Sequence, residues 1–126
     1  MRLMLDSTFL IDHLRGERAA IARLADIFGS GDEPFVNDVV VAEVRTGLFP
    51  FEEPSLRRLL EPMEFVQPGP DWALLAGSWR RAARDRGRAL SLPDSLIAAT
   101  ADAVGAAVLT RNVRDFALTP VRLLTY

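Results

Sequence analysis

Asp6 closes the short apolar run Arg2-Leu3-Met4-Leu5 and precedes Ser7-Thr8. Glu43 sits in Val39-Val40-Val41-Ala42-Glu43-Val44-Arg45. On a helix its i±3 and i±4 neighbours are Val39, Val40, Thr46 and Gly47, none of them a cation. Asp94 follows Ser91-Leu92-Pro93, and Asp115 lies in Thr110-Arg111-Asn112-Val113-Arg114-Asp115-Phe116. Each has an ordinary explanation. Asp6 is a good helix cap, Asp94 complements the positive end of a helix dipole, and Asp115 can pair with either nearby Arg. Glu43 can be paired by an Arg from another segment or be solvated. It is nevertheless the most informative of the four, because a carboxylate on an apolar, small-residue face is costly without a partner. If the four converge, they cannot all stay ionised without a counter-cation. Hard oxygen ligands in that number suit Mg²⁺ or Mn²⁺ rather than zinc. Such a site can bind a phosphodiester, lower the pKa of a water and stabilise an in-line displacement.

The elements that must position these groups are read from periodicity and punctuation. Arg2–Leu5 reads as a buried strand. Ser7-Thr8 open a short helix with Phe9, Leu10, Ile11 and Leu14, closed by Gly16. A second helix spans Arg18 to Phe28 with Ile21, Leu24, Ala25 and Phe28 on one face, ended by Gly29-Ser30-Gly31. Pro34-Phe35-Val36 is a very short second strand, and Asn37 or Asp38 caps a helix from Val39 to about Phe49. Pro50 and Pro54 break the chain. A helical segment at Ser55–Leu60 and a strand at Met63–Val66 follow. Pro70-Asp71 opens a long helix with Trp72, Leu75, Ala76, Trp79 and Ala83 at helical spacing, a stripe that places both Trp in the core. Ser91-Leu92-Pro93-Asp94 starts a helix to about Val104. Ala106–Thr110 is a fourth strand, then comes a helical turn, and Val121–Leu124 is a fifth.

Strands alternating with helices predict an α/β layer fold with a mostly parallel sheet of about four or five short strands. In such sheets the site lies beyond the carboxyl ends of the strands. Asp6 follows strand one, and Asn112 and Asp115 follow strand four.

Composition narrows the chemistry. The chain has 126 residues, 49% hydrophobic and 25% charged, as expected for one ordinary globular domain over 1–126. There is no Cys, so no disulfide, thiol nucleophile or thiolate metal site. The single His13 excludes chemistry that needs two imidazoles. All 15 basic residues are Arg, which excludes a Schiff-base lysine and a phosphate-binding loop built on Lys. The formal net charge of −2 offers no global basic field for nucleic acid or membrane. The longest apolar stretch, Leu96–Leu109, carries Asp102 and is too short to span a bilayer. No signal-peptide core precedes Asp6, so the expected compartment is the cytoplasm.

Four segments in order resemble the PIN-domain ribonucleases, and within them the VapC-type toxins of toxin–antitoxin pairs. They are Met4-Leu5-Asp6-Ser7-Thr8-Phe9-Leu10-Ile11-Asp12, Val41-Ala42-Glu43-Val44-Arg45-Thr46-Gly47-Leu48, Leu92-Pro93-Asp94-Ser95-Leu96-Ile97-Ala98-Ala99-Thr100-Ala101 and Val108-Leu109-Thr110-Arg111-Asn112-Val113-Arg114-Asp115-Phe116. The resemblance implies a PIN-like, Rossmann-like sheet flanked by helices. It implies an Mg²⁺ or Mn²⁺ site at Asp6, Glu43 and Asp94, with Asp115 as a fourth acidic position. Ser7, Thr110 and Asn112 would support the site, and Asp115 would act directly, through water, or by orienting Arg114. It also implies a homodimer, an RNA substrate cut to 5′-phosphate and 3′-hydroxyl ends, and silencing by a cognate antitoxin. Many members carry Asp-Thr-Asn at the first motif, where this chain has Asp6-Ser7-Thr8, and some carry Asp in place of Asn112.

RNA backbone affinity would come from local Arg: Arg45, Arg111 and Arg114, or the Arg80–Arg88 cluster, which reads equally as a solvated helix end. Two alternatives remain. One is a non-catalytic PIN-like module that binds RNA or a partner. The other is phosphotransfer through an aspartyl phosphate on Asp6, which the absence of Lys disfavours.

Overall fold

The computed structural model describes residues 1–126. Five strands, β1 (Arg2–Leu5), β2 (Glu33–Val36), β3 (Glu64–Phe65), β4 (Ala107–Leu109) and β5 (Leu123–Leu124), form one sheet in the order β3-β2-β1-β4-β5. Every pairing is parallel. The helices are α1 (Ser7–Leu14), α2 (Arg18–Ser30), α3 (Asp38–Thr46), α4 (Glu53–Leu60), α5 (Pro70–Asp85), α6 (Leu92–Val104) and α7 (Val113–Phe116), with a 3₁₀ turn at Pro50–Glu52. This is the expected α/β architecture.

The chain steps outward from β1 to β2 and β3, then crosses back over α5 and α6 to place β4 on the other side of β1. The order therefore reverses between β1 and β4, and the crevice at their carboxyl ends is where a site belongs. The Asp6 amide donates to Leu109 O at 3.1 Å and closes that junction. Leu3, Met4 and Leu5 are completely buried, as a central parallel strand requires, and they seed a core with Phe9, Val40, Ile97, Val108 and Phe116.

Several boundaries differ from the sequence expectation. The second helix runs on through Gly29 and Ser30 and ends at Gly31, whose φ of 79° is left-handed. Its buried face is Ala20, Leu24 and Ile27, while Ile21 and Phe28 are 44% and 45% exposed. The helix has more apolar residues than one face can bury, so periodicity alone selects the wrong stripe. The third helix stops at Thr46, not near Phe49, with Gly47 following it. Pro54 does not break the chain but sits in the first turn of α4, where a missing N–H costs nothing. The outer strands are shorter than read: Met63 and Val66 lie outside β3, and Val121 outside β5.

On α5, Ala76 and Ala83 are buried and Trp79 packs against the core. Trp72 does not. It lines an open cavity of about 350 Å³ with Asn37, Gln67 and Thr100. Its place two turns before Trp79 on the same stripe lies beyond the core's edge, which periodicity does not reveal. No helix is long and apolar enough to cross a membrane.

Candidate active site

Asp6 is positioned first. As the β1 strand ends, its side chain caps α1, accepting from the Ser7 amide at 2.8 Å. The cap and the site are thus the same residue in two roles. Its other oxygen accepts from Thr8 Oγ1 and Thr110 Oγ1, each at 2.8 Å, and the residue is only 2% exposed. Hydroxyl and amide donors, with no cation, hold this buried carboxylate.

Glu43 comes from the middle of α3, whose start is fixed by Asn37. That side chain accepts from the Val40 amide at 3.0 Å and donates to Thr100 Oγ1 on α6 at 2.8 Å. No Arg pairs with Glu43, and the residue is only partly exposed. Its Oε1 is sealed from solvent with no hydrogen-bond partner. Burial pushes its carboxyl above the usual range. A hydrogen bond from Ser7 opposes that shift, and the charge of Asp6 adds to it. Ser7 Oγ also reaches Asp6 Oδ1, in a long bond of 3.4 Å.

Asp94 stands in the first turn of α6, and its amide donates to Ser91 Oγ at 3.1 Å. Its carboxyl is pushed up to about 6, chiefly by burial; a hydrogen bond from the Ser91 hydroxyl to the carboxylate lowers it, and the charges of Asp6, Asp115 and Glu43 raise it further. The fold thus brings Asp94 near enough to Asp6, Asp115 and Glu43 to feel the charge of each. Asp115 lies exposed on α7 at the rim.

The arginines divide. Arg45 is committed to α4: its Nε lies 3.0 Å from Glu53 Oε1 and its Nη1 donates to Leu48 O at 2.9 Å. Arg111 is held by Asp12, at 3.0 Å. Arg114 is exposed and makes no ion pair or side-chain hydrogen bond. Within the Arg80–Arg88 run, Arg80 donates to Leu90 O and Arg81 pairs with Asp85 one turn on, both at 3.0 Å. Asn112 is exposed, and its amide donates to Thr110 Oγ1 at 2.8 Å, which shapes the turn before α7. His13 is half-buried, and burial lowers its pKa.

Sequence reasoning overlooked Thr8, Asp12 and Tyr126. Asp12 is 7% exposed and accepts from Tyr126 Oη at 2.5 Å. Burial and Asp12 push the Tyr126 hydroxyl up to about 12. The available signal was an acid four residues after Thr8 inside the apolar stripe of a short helix.

The carboxylates offer hard oxygen donors with no competing Lys, and a sealed oxygen without a partner is what a cation would satisfy. The donor set fits a divalent metal. As the side chains stand, no three acids are grouped to hold one ion alone, so binding there requires rotamer adjustment or intervening water.

An acidic centre at the switch point of a small parallel sheet defines a known class. The PIN domain family matches residues 3–120, and the chain belongs to that family. It is similar to Ribonuclease VapC19 of Mycobacterium tuberculosis, with 35% identity over 117 residues, covering 93% of this chain and 94% of that one. Among solved structures it resembles VapBC2 of Rickettsia felis bound to a promoter DNA fragment, with 20% identity, TM-score 0.87 and coverage of 100% and 99%. It also resembles a toxin–antitoxin complex from Klebsiella pneumoniae, with 27% identity, TM-score 0.80 and coverage of 98% and 96%.

Proposed function

We propose that residues 1–126 form a single nuclease domain that hydrolyses RNA with Mg²⁺ or Mn²⁺ and acts as the toxin of a toxin–antitoxin pair. The relatives named ribonuclease and toxin–antitoxin complex support that reading. The observation that carries the metal site is Glu43 Oε1, sealed without a partner beside an Asp94 that feels three other carboxylates. Asp6, Glu43 and Asp94 would hold the ion, and Asp115 would contribute from the rim. Bound there, the metal supplies Lewis-acid chemistry, neutralising phosphate charge and acidifying water.

The chain's own residues do the rest. Thr8 and Thr110 aim the Asp6 carboxylate and keep it an acceptor. Ser7 steadies Asp6 and Glu43 relative to each other. In the metal-free site the Asp94 carboxyl holds its proton up to pH about 6. Arg114 is the cation free to meet an RNA phosphate. A cognate antitoxin silences the protein, which works as a homodimer in the cytoplasm.

The test uses purified protein freed of antitoxin, end-labelled total RNA, and Mg²⁺, Mn²⁺ or EDTA, beside Asp6→Ala and Asp94→Ala. Metal-dependent cuts with 5′-phosphate ends, absent from both variants, support the proposal. Identical cutting by the variants indicates a contaminant. RNA shifted equally with and without EDTA, and never cut, would instead mean a binding module.

A further inference from the structure

Asp12 is a buried carboxylate that the acidic centre does not use. It lies on the α1 face that carries Thr8 one turn earlier. A charge so sheltered is costly unless paired, and its partners come from two distant segments. Arg111 Nε, 3.0 Å away, belongs to the connection from β4 to α7. Tyr126 Oη, 2.5 Å away, lies beyond β5. The Tyr126 ring is set edge-on to Phe9, with centroids 4.9 Å apart at 88°. An aromatic contact thus fixes its body and a hydrogen bond fixes its tip. The Arg111 side chain is 59% exposed, so Tyr126 supplies the sheltered half of the arrangement.

The same connection is gripped at successive residues. Thr110 Oγ1 donates to Asp6 Oδ2 at 2.8 Å, the Arg111 amide approaches Thr8 Oγ1 at 3.5 Å, and the Asn112 amide donates to Thr110 Oγ1 at 2.8 Å. The Asp115 amide then donates to Asn112 O at 3.1 Å as α7 begins. We propose that Asp12, Arg111 and Tyr126 form a latch that sets the Asp115-bearing segment against Asp6, which makes them positioning residues of the acidic centre. The proposal rests on reading that centre as a metal-dependent nuclease site, and it gives Arg111 a tethering role in place of an RNA contact.

Asp12→Asn and Tyr126→Phe keep the side-chain shapes and leave the four acids of the centre intact. Three quantities are measured on full-length protein: amide exchange over residues 111–116, Mn²⁺ affinity, and kcat and KM for RNA cleavage. In both variants residues 111–116 should exchange roughly 10-fold faster. Mn²⁺ affinity and kcat should each fall by roughly 10-fold, as for residues that orient metal ligands, with KM within about twofold of wild type. Arg111→Lys, which keeps a donor, should recover part of the kcat lost in Arg111→Ala.

Unchanged exchange in both variants overturns the latch. Faster exchange with unaltered Mn²⁺ affinity and kcat overturns the positioning role. A raised KM at constant kcat in Arg111→Ala would make that residue an RNA contact and likewise overturn it. Wild-type protein that neither binds Mn²⁺ nor cuts RNA overturns the nuclease reading, and with it the positioning role. The exchange rates need neither metal nor RNA, so they still decide whether the tether exists.

Discussion

Glu43 and Asp94 pay for their positions in the metal-free protein. The folded Asp94 carboxyl titrates at about 6 against an ordinary 3.8, so as pH rises the unfolded chain loses this proton first. The contribution of Asp94 to stability is complete below about pH 4 and is lost as pH climbs through 6. In EDTA, Asp94→Asn should therefore raise the neutral-pH stability by about 1–2 kcal/mol, a few degrees in Tm, with little effect at pH 4. A variant that melts below wild type at pH 7.5 would contradict this. Cation binding needs the ionised form, so Mn²⁺ affinity should rise between pH 5 and 7 in wild type. Glu43→Gln should remove the sealed, desolvated charge and stabilise the metal-free fold by about 1 kcal/mol. On the proposed metal site it should also cut RNA cleavage by roughly 100-fold or more, since a ligand would be lost.

At the scale of elements, α3 delivers Glu43 because Asn37 does two things at once. It caps the helix and reaches across to Thr100 on α6, the helix that carries Asp94. Asn37→Ala should cost about 1–2 kcal/mol, combining a lost cap with the lost bond to Thr100 Oγ1, whose hydroxyl still donates to Leu96 O. Denaturant unfolding reads that loss. Asn37→Asp retains the cap acceptor but not the donor to Thr100, so it should recover only part of it. Thr110→Val similarly removes the donor to Asp6 and the acceptor for the Asn112 amide, and should lower activity more than stability. The motif segments that hold these residues were legible in the chain, and so were the strand–helix alternation and the helix starts near Asn37-Asp38 and at Ser91–Asp94; that Asn37 and Ser91 are the caps was settled by packing. The face of the second helix, the short outer strands and the placement of Trp72 were not. Each depends on which apolar surface finds a neighbour, and local periodicity carries no information on that.

The whole molecule is slightly acidic, with a net charge of −2, and four of its acids point to one edge of the sheet. On the proposed function, affinity for RNA would therefore depend on a divalent cation more than on any basic field. Mn²⁺ at 100 times its Kd should stabilise the wild type by about 2.7 kcal/mol, seen as a rise in Tm. That rise should vanish in Asp94→Asn. An equal rise in both proteins would mean the ion binds elsewhere.

Residue type and order were enough to establish the alternation of strands and helices, the absence of thiol, lysine and paired-imidazole chemistry, and four acids in motifs that resemble one family. These depend on composition and on spacing along the chain, which the sequence states outright. Packing decided the rest. One oxygen of Glu43 was sealed with no partner, Arg45 and Arg111 were drawn into ion pairs with Glu53 and Asp12, and Tyr126 was brought against Phe9, 117 positions away in the chain. Burial and pairing between segments far apart in sequence arise only when the sheet brings their ends to one edge. A carboxylate's partner, and hence its pKa and its use, is a property of that edge and not of its neighbours in the chain.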